Sequence, residues 1–197
     1  STGGTDNSTY KNLGDTDWHH FAMVCDGGTK SVYIDAIYKS AFGTSNTGFD
    51  DLHIGQFNAG DSNDFKGQIQ DLRVYQGTNK GYTGTDTGAR NFALPGPIKK
   101  VYPQMPSVTA HSNAKVQTSD NKFGGGSVVF DGSDDNLRVF PQWDVTQPWT
   151  LEFFFKTSST GNMNMFGMTQ SDASTESNSV FIRANGGKVQ LYSSTVG

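Results

Sequence analysis

Apolar and polar residues alternate along this chain in short bursts, each closed by glycine, asparagine, aspartate or serine. No stretch holds apolar residues at i, i+3, i+4 and i+7 for more than about one turn, so helices are not expected. The burst from His19 to Cys25 is followed by Asp26-Gly27-Gly28-Thr29 and then by Ser31 to Asp35. Two β-rich runs around a Gly-rich turn predict a hairpin. Further strands are expected over Asp51 to Gly55 and Gly67 to Tyr75. In the latter, Ile69, Leu72 and Val74 break strict alternation, which predicts a bulge near Gln70 and Asp71. The pattern lapses from 76 to 119, where Gly81, Gly84, Gly88, Pro95, Pro97, Pro103 and Pro106 interrupt it. A connector is expected there, carrying one edge strand around Ile98 to Tyr102. Strands resume over Ser127 to Phe130, Asn136 to Val139, Thr150 to Lys156, Val180 to Arg183 and Lys188 to Tyr192. Near-continuous apolar character from Leu151 to Phe155 predicts a central strand buried on both faces. Roughly nine to eleven strands with antiparallel turns pack most naturally as two stacked sheets.

Composition changes this picture little. The 197 residues include 24 glycines, and the hydrophobic fraction of 34% is low, but 14 phenylalanines supply core volume. The net charge of −4 is spread along the chain without a basic stripe, so a phosphate-tracking nucleic-acid site is not expected. No apolar run nears the ~20 residues that span a bilayer. The single cysteine, Cys25, excludes an internal disulfide and reads as a small buried hydrophobe.

Four segments resemble the laminin-G-like branch of the concanavalin A-like jelly-roll superfamily. They are Trp18-His19-His20-Phe21-Ala22-Met23-Val24, then Val32-Tyr33-Ile34-Asp35 with Ala36 where glycine is usual, then Gly55 to Tyr75 with Phe65, Gly67, Ile69, Asp71 and Arg73. The fourth runs from Lys122-Phe123-Gly124 through Phe130-Asp131-Gly132 to Trp149-Thr150-Leu151-Glu152-Phe153. The resemblance implies an all-β, concanavalin A-like jelly-roll sandwich of two antiparallel sheets. It also implies a swapped order. Residues 1–80 match what is usually the C-terminal half, 81–119 form a Gly/Pro-rich connector, and 120–197 match the N-terminal half. One period of a tandem array and a circular permutant both fit, and both place the termini near one another or near another copy's complementary terminus.

Catalytic chemistry finds little support. Hydrolysis of a glycan by two carboxylates needs a pair on one strand face. Glu152 is the only acid in its strand and Glu176 sits in a polar loop, while Asp50-Asp51 and Asp134-Asp135 are adjacent and would point to opposite faces. His19 and His20 cannot chelate one ion together for the same reason, and one is expected buried and one exposed. Calcium is the better metal candidate, because hard cations take several oxygen ligands at about 2.4 Å. Asp131, Asp134, Asp135 and Asn136 lie in one tight turn rich in such ligands, and Asn58, Asp61 and Asp64 form a weaker set; the same residues also suit plain turns. Trp18 and Trp149 match core positions of the resembled family. Trp143, Tyr38, Tyr82 and Phe57 are read as loop aromatics, of which Trp143, Tyr38 and Phe57 are candidates for a glycan or subunit contact. Asn7-Ser8-Thr9 is a formal glycosylation sequon.

The reading is therefore a non-catalytic structural or adhesion module of a repetitive extracellular, cell-surface or virion assembly, such as a fibre or decoration protein. Its expected partners are copies of itself or neighbouring subunits, with a cell-surface glycan second, and neither nucleic acid nor membrane insertion is expected. A calcium-assisted lectin is the alternative, and a glycan hydrolase the remote one.

Overall fold

A computed structural model describes residues 3–5, 13, 15–43, 51–56, 63–97, 108–139, 147–169, 179–186 and 188–194. Among them there is no helix, and fourteen strands form. In chain order these are β1 Gly3–Thr5, β2 His19–Asp26, β3 Thr29–Ile34, β4 Ile37–Gly43, β5 Asp51–Ile54, β6 Lys66–Gln76 and β7 Val108–His111. They continue as β8 Lys115–Gln117, β9 Ser127–Asp131, β10 Asn136–Val139, β11 Trp149–Lys156, β12 Met163–Thr169, β13 Ser179–Asn185 and β14 Lys188–Ser194. Sheet A runs β1-β14-β13-β12-β5-β10-β7 and sheet B runs β4-β3-β2-β11-β6-β9-β8, with every ladder antiparallel. The expected all-β sandwich of two antiparallel sheets is what forms. Strands from both ends of the sequence alternate within each sheet, so β11 lies between β2 and β6, and β5 lies between β12 and β10.

Two turns show how sequence sets this topology. Gly27 and Gly28, at φ +56° and +83°, link β2 to β3 as a two-residue hairpin loop whose left-handed conformation matches strand twist. Asp35 and Ala36 link β3 to β4 in the same way at φ +53° and +64°. Alanine is strained there, since a Cβ in the left-handed region costs about 1–2 kcal/mol, partly offset by the greater backbone entropy that glycine loses. Ala36→Gly is expected to stabilise the fold by about 0.5–1 kcal/mol, read as a higher urea midpoint at unchanged slope.

Strand β11 is central, as its sequence indicates, and both of its faces are buried. Trp149, Leu151, Phe153 and Phe155 join Phe21, Met23, Ile54, Met165 and Phe166 in the core between the sheets. Even-numbered residues of β2 and β11 face the other way, onto the outer surface of sheet B. That surface is covered too, because 77–97 runs across it as a strap without regular structure, placing Tyr82 and Phe92 on Ala22, Val24 and Tyr33. Over 77–97 the connector is thus a packed layer. Its two edge strands are β7 and β8; the one expected at Ile98 to Tyr102 lies outside the described residues.

A sealed acidic cluster as the candidate functional site

The outer face of sheet B is built in rows set by strand register. One row reads Tyr38, Tyr33, Ala22, Glu152 and Arg73 across β4, β3, β2, β11 and β6. Ala22 is the small member, and the strap fills the space above it. Tyr82 and Phe92 stack there with rings 3.6 Å apart and nearly parallel, and Phe92 meets Tyr33 edge-on. The strap is also tied by polar contacts. The Tyr33 hydroxyl lies 3.0 Å from the carbonyls of both Tyr82 and Gly84, the Asn91 amide donates to Ala36 O at 2.8 Å, and Asn79 donates to Asp26 at 2.8 Å.

Under this strap Glu152, 1% exposed, receives four partners. Tyr82 donates to it at 3.1 Å, His20 Nε2 lies 3.3 Å away, Arg73 Nη1 is at 3.5 Å, and the Tyr75 hydroxyl also bonds to it. Arg73 is shared, since its guanidinium also pairs with Asp71 and donates to the Gly96 carbonyl. The bulge expected at Gln70 and Asp71 makes this possible. Asp71 and Leu72 together oppose Phe153 alone, Asp71 takes φ +60°, and its carboxylate turns onto Arg73. Burial favours the neutral acid at Glu152, but hydrogen bonds and charge from His20, Tyr82 and Arg73 outweigh it, and its pKa falls below the ordinary carboxylate value. Burial and the Glu152 charge push the Tyr82 hydroxyl up, so it stays a donor.

Both histidines of the Trp-His-His strand are buried, which corrects the expectation of one exposed ring. Nor are they unpartnered. They do face opposite ways: His20 joins the outer cluster, while His19 stands beside Phe155 of the core. His19 Nδ1 is 2.8 Å from Asp35 and Nε2 is 2.9 Å from Asp15, an arrangement in which only the doubly protonated ring donates to both. Burial opposes that charge, but the two carboxylates outweigh it and raise the pKa above 6.5. The stabilisation is complete below the unfolded value of about 6.5 and lost as pH rises through the higher folded value. Unfolding free energy is therefore expected to fall on the alkaline side of neutrality, and His19→Gln should flatten that limb in urea titrations across pH.

The residues singled out for calcium form a turn at the rim of the sandwich. Asp135 is spent on backbone, accepting the amides of Asn113 and Asp131 at 2.7 Å each, and Asp131 accepts Ser133 N at 2.8 Å. Asp64 accepts Asp134 N at 2.6 Å, and Asn136 donates to Gln56 at 2.8 Å. Among the described residues no three His, Cys, Asp or Glu side chains are grouped to hold a metal. Each of these contacts also serves the turn itself. Asn58, Asp61, Phe57, Trp143 and the Asn7 sequon lie outside the described residues. Tyr38 is not a loop aromatic; it sits in β4 and packs edge-on against Tyr33. Tyr82 is buried in the strap, Trp149 is core as expected, and Trp18, expected in the core, is only half-buried. Where the strap ends, a cleft of about 410 Å³ opens between Gln70, Asp71, Pro97 and the loop of Phe123 to Gly126.

Residues 1–80 match the laminin-G-like family model described as the concanavalin A-like lectin/glucanases superfamily. Over these residues the chain is similar to that superfamily. No curated protein matches the chain. The matched segment supplies His20 and Arg73 of the cluster, and β11 supplies Glu152 between them. This similarity is compatible with a non-catalytic carbohydrate-binding or adhesion module. No helix among the described residues is long and apolar enough to cross a membrane.

The cluster itself was hidden in the sequence. A lone glutamate within an apolar strand signals that a cation must meet it, because an unpaired buried charge is prohibitively costly. Which cation depends on the order of β2, β11 and β6, and Tyr82 depends on the strap, neither of which any local pattern encodes.

Proposed function

We propose that this chain is a non-catalytic structural and adhesion module of a repetitive extracellular, cell-surface or virion assembly. One observation carries the reading: the two carboxylates of the sheet B face, Asp71 and Glu152, share the Arg73 guanidinium, and the strap covers Glu152. Two-carboxylate glycan hydrolysis needs one carboxyl kept protonated and a substrate bond between the pair. Here an arginine stands where the bond would lie, and with His20 and Tyr82 it favours the charged form of Glu152. The cluster works instead as a polar fastening between the strap and three strands. In a reducing-end assay on a panel of polysaccharides, the wild-type chain is expected to match Glu152→Gln at background. Turnover that Glu152→Gln abolishes overturns the reading.

A second reading, a calcium-assisted carbohydrate-binding domain, is favoured by the cleft at Phe123 and by Asn136 Oδ1, which is buried without a hydrogen-bond partner. Glycan binding lost in chelator supports that reading, and absence of binding removes it.

A further inference from the structure

Strands β7 and β8 make one lateral side of the sandwich, β7 ending sheet A and β8 ending sheet B. Val108 and Ala110 stand opposite Val139 and Leu137 of β10, and Val116 stands opposite Val128 of β9. Val139 is part of the core, and Leu137 and Val128 pack against it. Cross-strand partners share a face, so Val108, Ala110 and Val116 all point into the space between the sheets. Yet Val108 is 48% exposed and Val116 70%, and among the described residues they are the two exposed large hydrophobics. Among the described residues nothing closes the interlayer core on this side.

The β7 part of this edge is also unguarded. Val108-Thr109-Ala110-His111 carries no Asp, Glu, Lys, Arg or proline, its register with β10 is unbroken, and its far side has no strand partner among the described residues. Such an edge is a template for another strand. A core left open beside it resembles the apolar interface of an obligate dimer. The opposite lateral side ends in β1, Gly3-Gly4-Thr5, and in β4, which carries Lys39, a charge of the kind that guards an edge. The surface of this chain that matches the open side is the same side of a second copy.

We propose that two copies close their open sides on each other about a two-fold axis perpendicular to the sheets, β7 pairing with β7 and β8 with β8. This rests on the assembly reading above and names its joint. A register centred on Thr109 sets Val108 opposite Ala110 of the second copy. One centred on Val116 sets Val116 against itself and Lys115 opposite Gln117, so no like charges face each other.

Light scattering of the 197-residue chain over a concentration series tests this. Wild type is expected to approach twice 21.3 kDa. Val108→Lys combined with Val116→Lys should weaken association at least tenfold, with a circular dichroism melt confirming the fold. Ala41→Lys, on the exposed edge of β4, should leave association unchanged. Thr109→Cys should cross-link two chains under mild oxidation, Cys25 being buried. Association that survives the double substitution, or that proceeds without a Thr109→Cys cross-link, overturns this joint and leaves the assembly reading standing. A wild-type chain monomeric at every concentration overturns both.

Discussion

Glu152→Ala is expected to lower unfolding free energy by about 3–5 kcal/mol, the range seen when one partner is deleted from a buried ion pair. The loss comes from what the deletion leaves behind. Arg73 keeps Asp71, but the Tyr82 hydroxyl and His20 Nε2 lose the acceptor they share in a face without water access. For a domain of this size that corresponds to a fall in melting temperature of about 10 °C. The acid limb of the stability profile carries a second signature. Because the folded pKa of Glu152 lies below its unfolded value of about 4.5, its contribution is complete above that value and declines as pH falls through the folded one. Glu152→Gln should remove that part of the acid limb. Calorimetry of both variants across pH checks both statements.

Gly55→Ala should rival it, at about 2–5 kcal/mol, through sterics alone. Gly55 sits at φ +89° just after β5, and a Cβ there would meet the Phe130 ring at 2.5 Å and Asp135 O at 3.1 Å. Phe130 cannot yield, being 1% exposed and packed edge-on against Phe65. Left-handed strain and overpacking therefore add. Gly27→Ala is the matched control, since it shares the left-handed φ but its Cβ would meet nothing within 4 Å. The difference between the two urea midpoints isolates the crowding, and equal midpoints would contradict the packing described here.

Much of the sandwich was readable because alternation is a local signal. The Gly27-Gly28 hairpin, the bulge before Arg73 and the doubly buried β11 each follow from residues within a few positions of one another. Five strands were not anticipated, and each lacks that signal. β12, Met163–Thr169, is rich in methionine and broken by Gly167, so its strand state comes from lying between β13 and β5. β1, β7 and β8 are three or four residues long, and β4 mixes Lys39 and Ser40 with its apolar residues. The packing of the strap was not legible for a related reason. Gly81, Gly84 and Gly88 read as breaks in the pattern, whereas at Gly84 the missing side chain lets Asn91 approach to where a Cβ would lie 2.2 Å from its Oδ1. Acidic turn residues at Asp131 to Asn136 suit a cation and a plain turn alike, because oxygen-rich turns and calcium loops share a composition. Only the direction of each carboxylate separates them, and Asp135 points at two backbone amides.

The central claim is that 77–97 belongs to the folded body and seals the Glu152 cluster. Amide hydrogen exchange followed by NMR tests it at Asn91, whose N–H bonds to Ala36 O across the sheet B face. Exchange as slow as that of the β2 and β11 amides is the predicted result. Exchange of Asn91 at open-chain rates while β11 stays protected would contradict it, and would mean that the face carrying Glu152, Arg73 and Asp71 stands open to ligands.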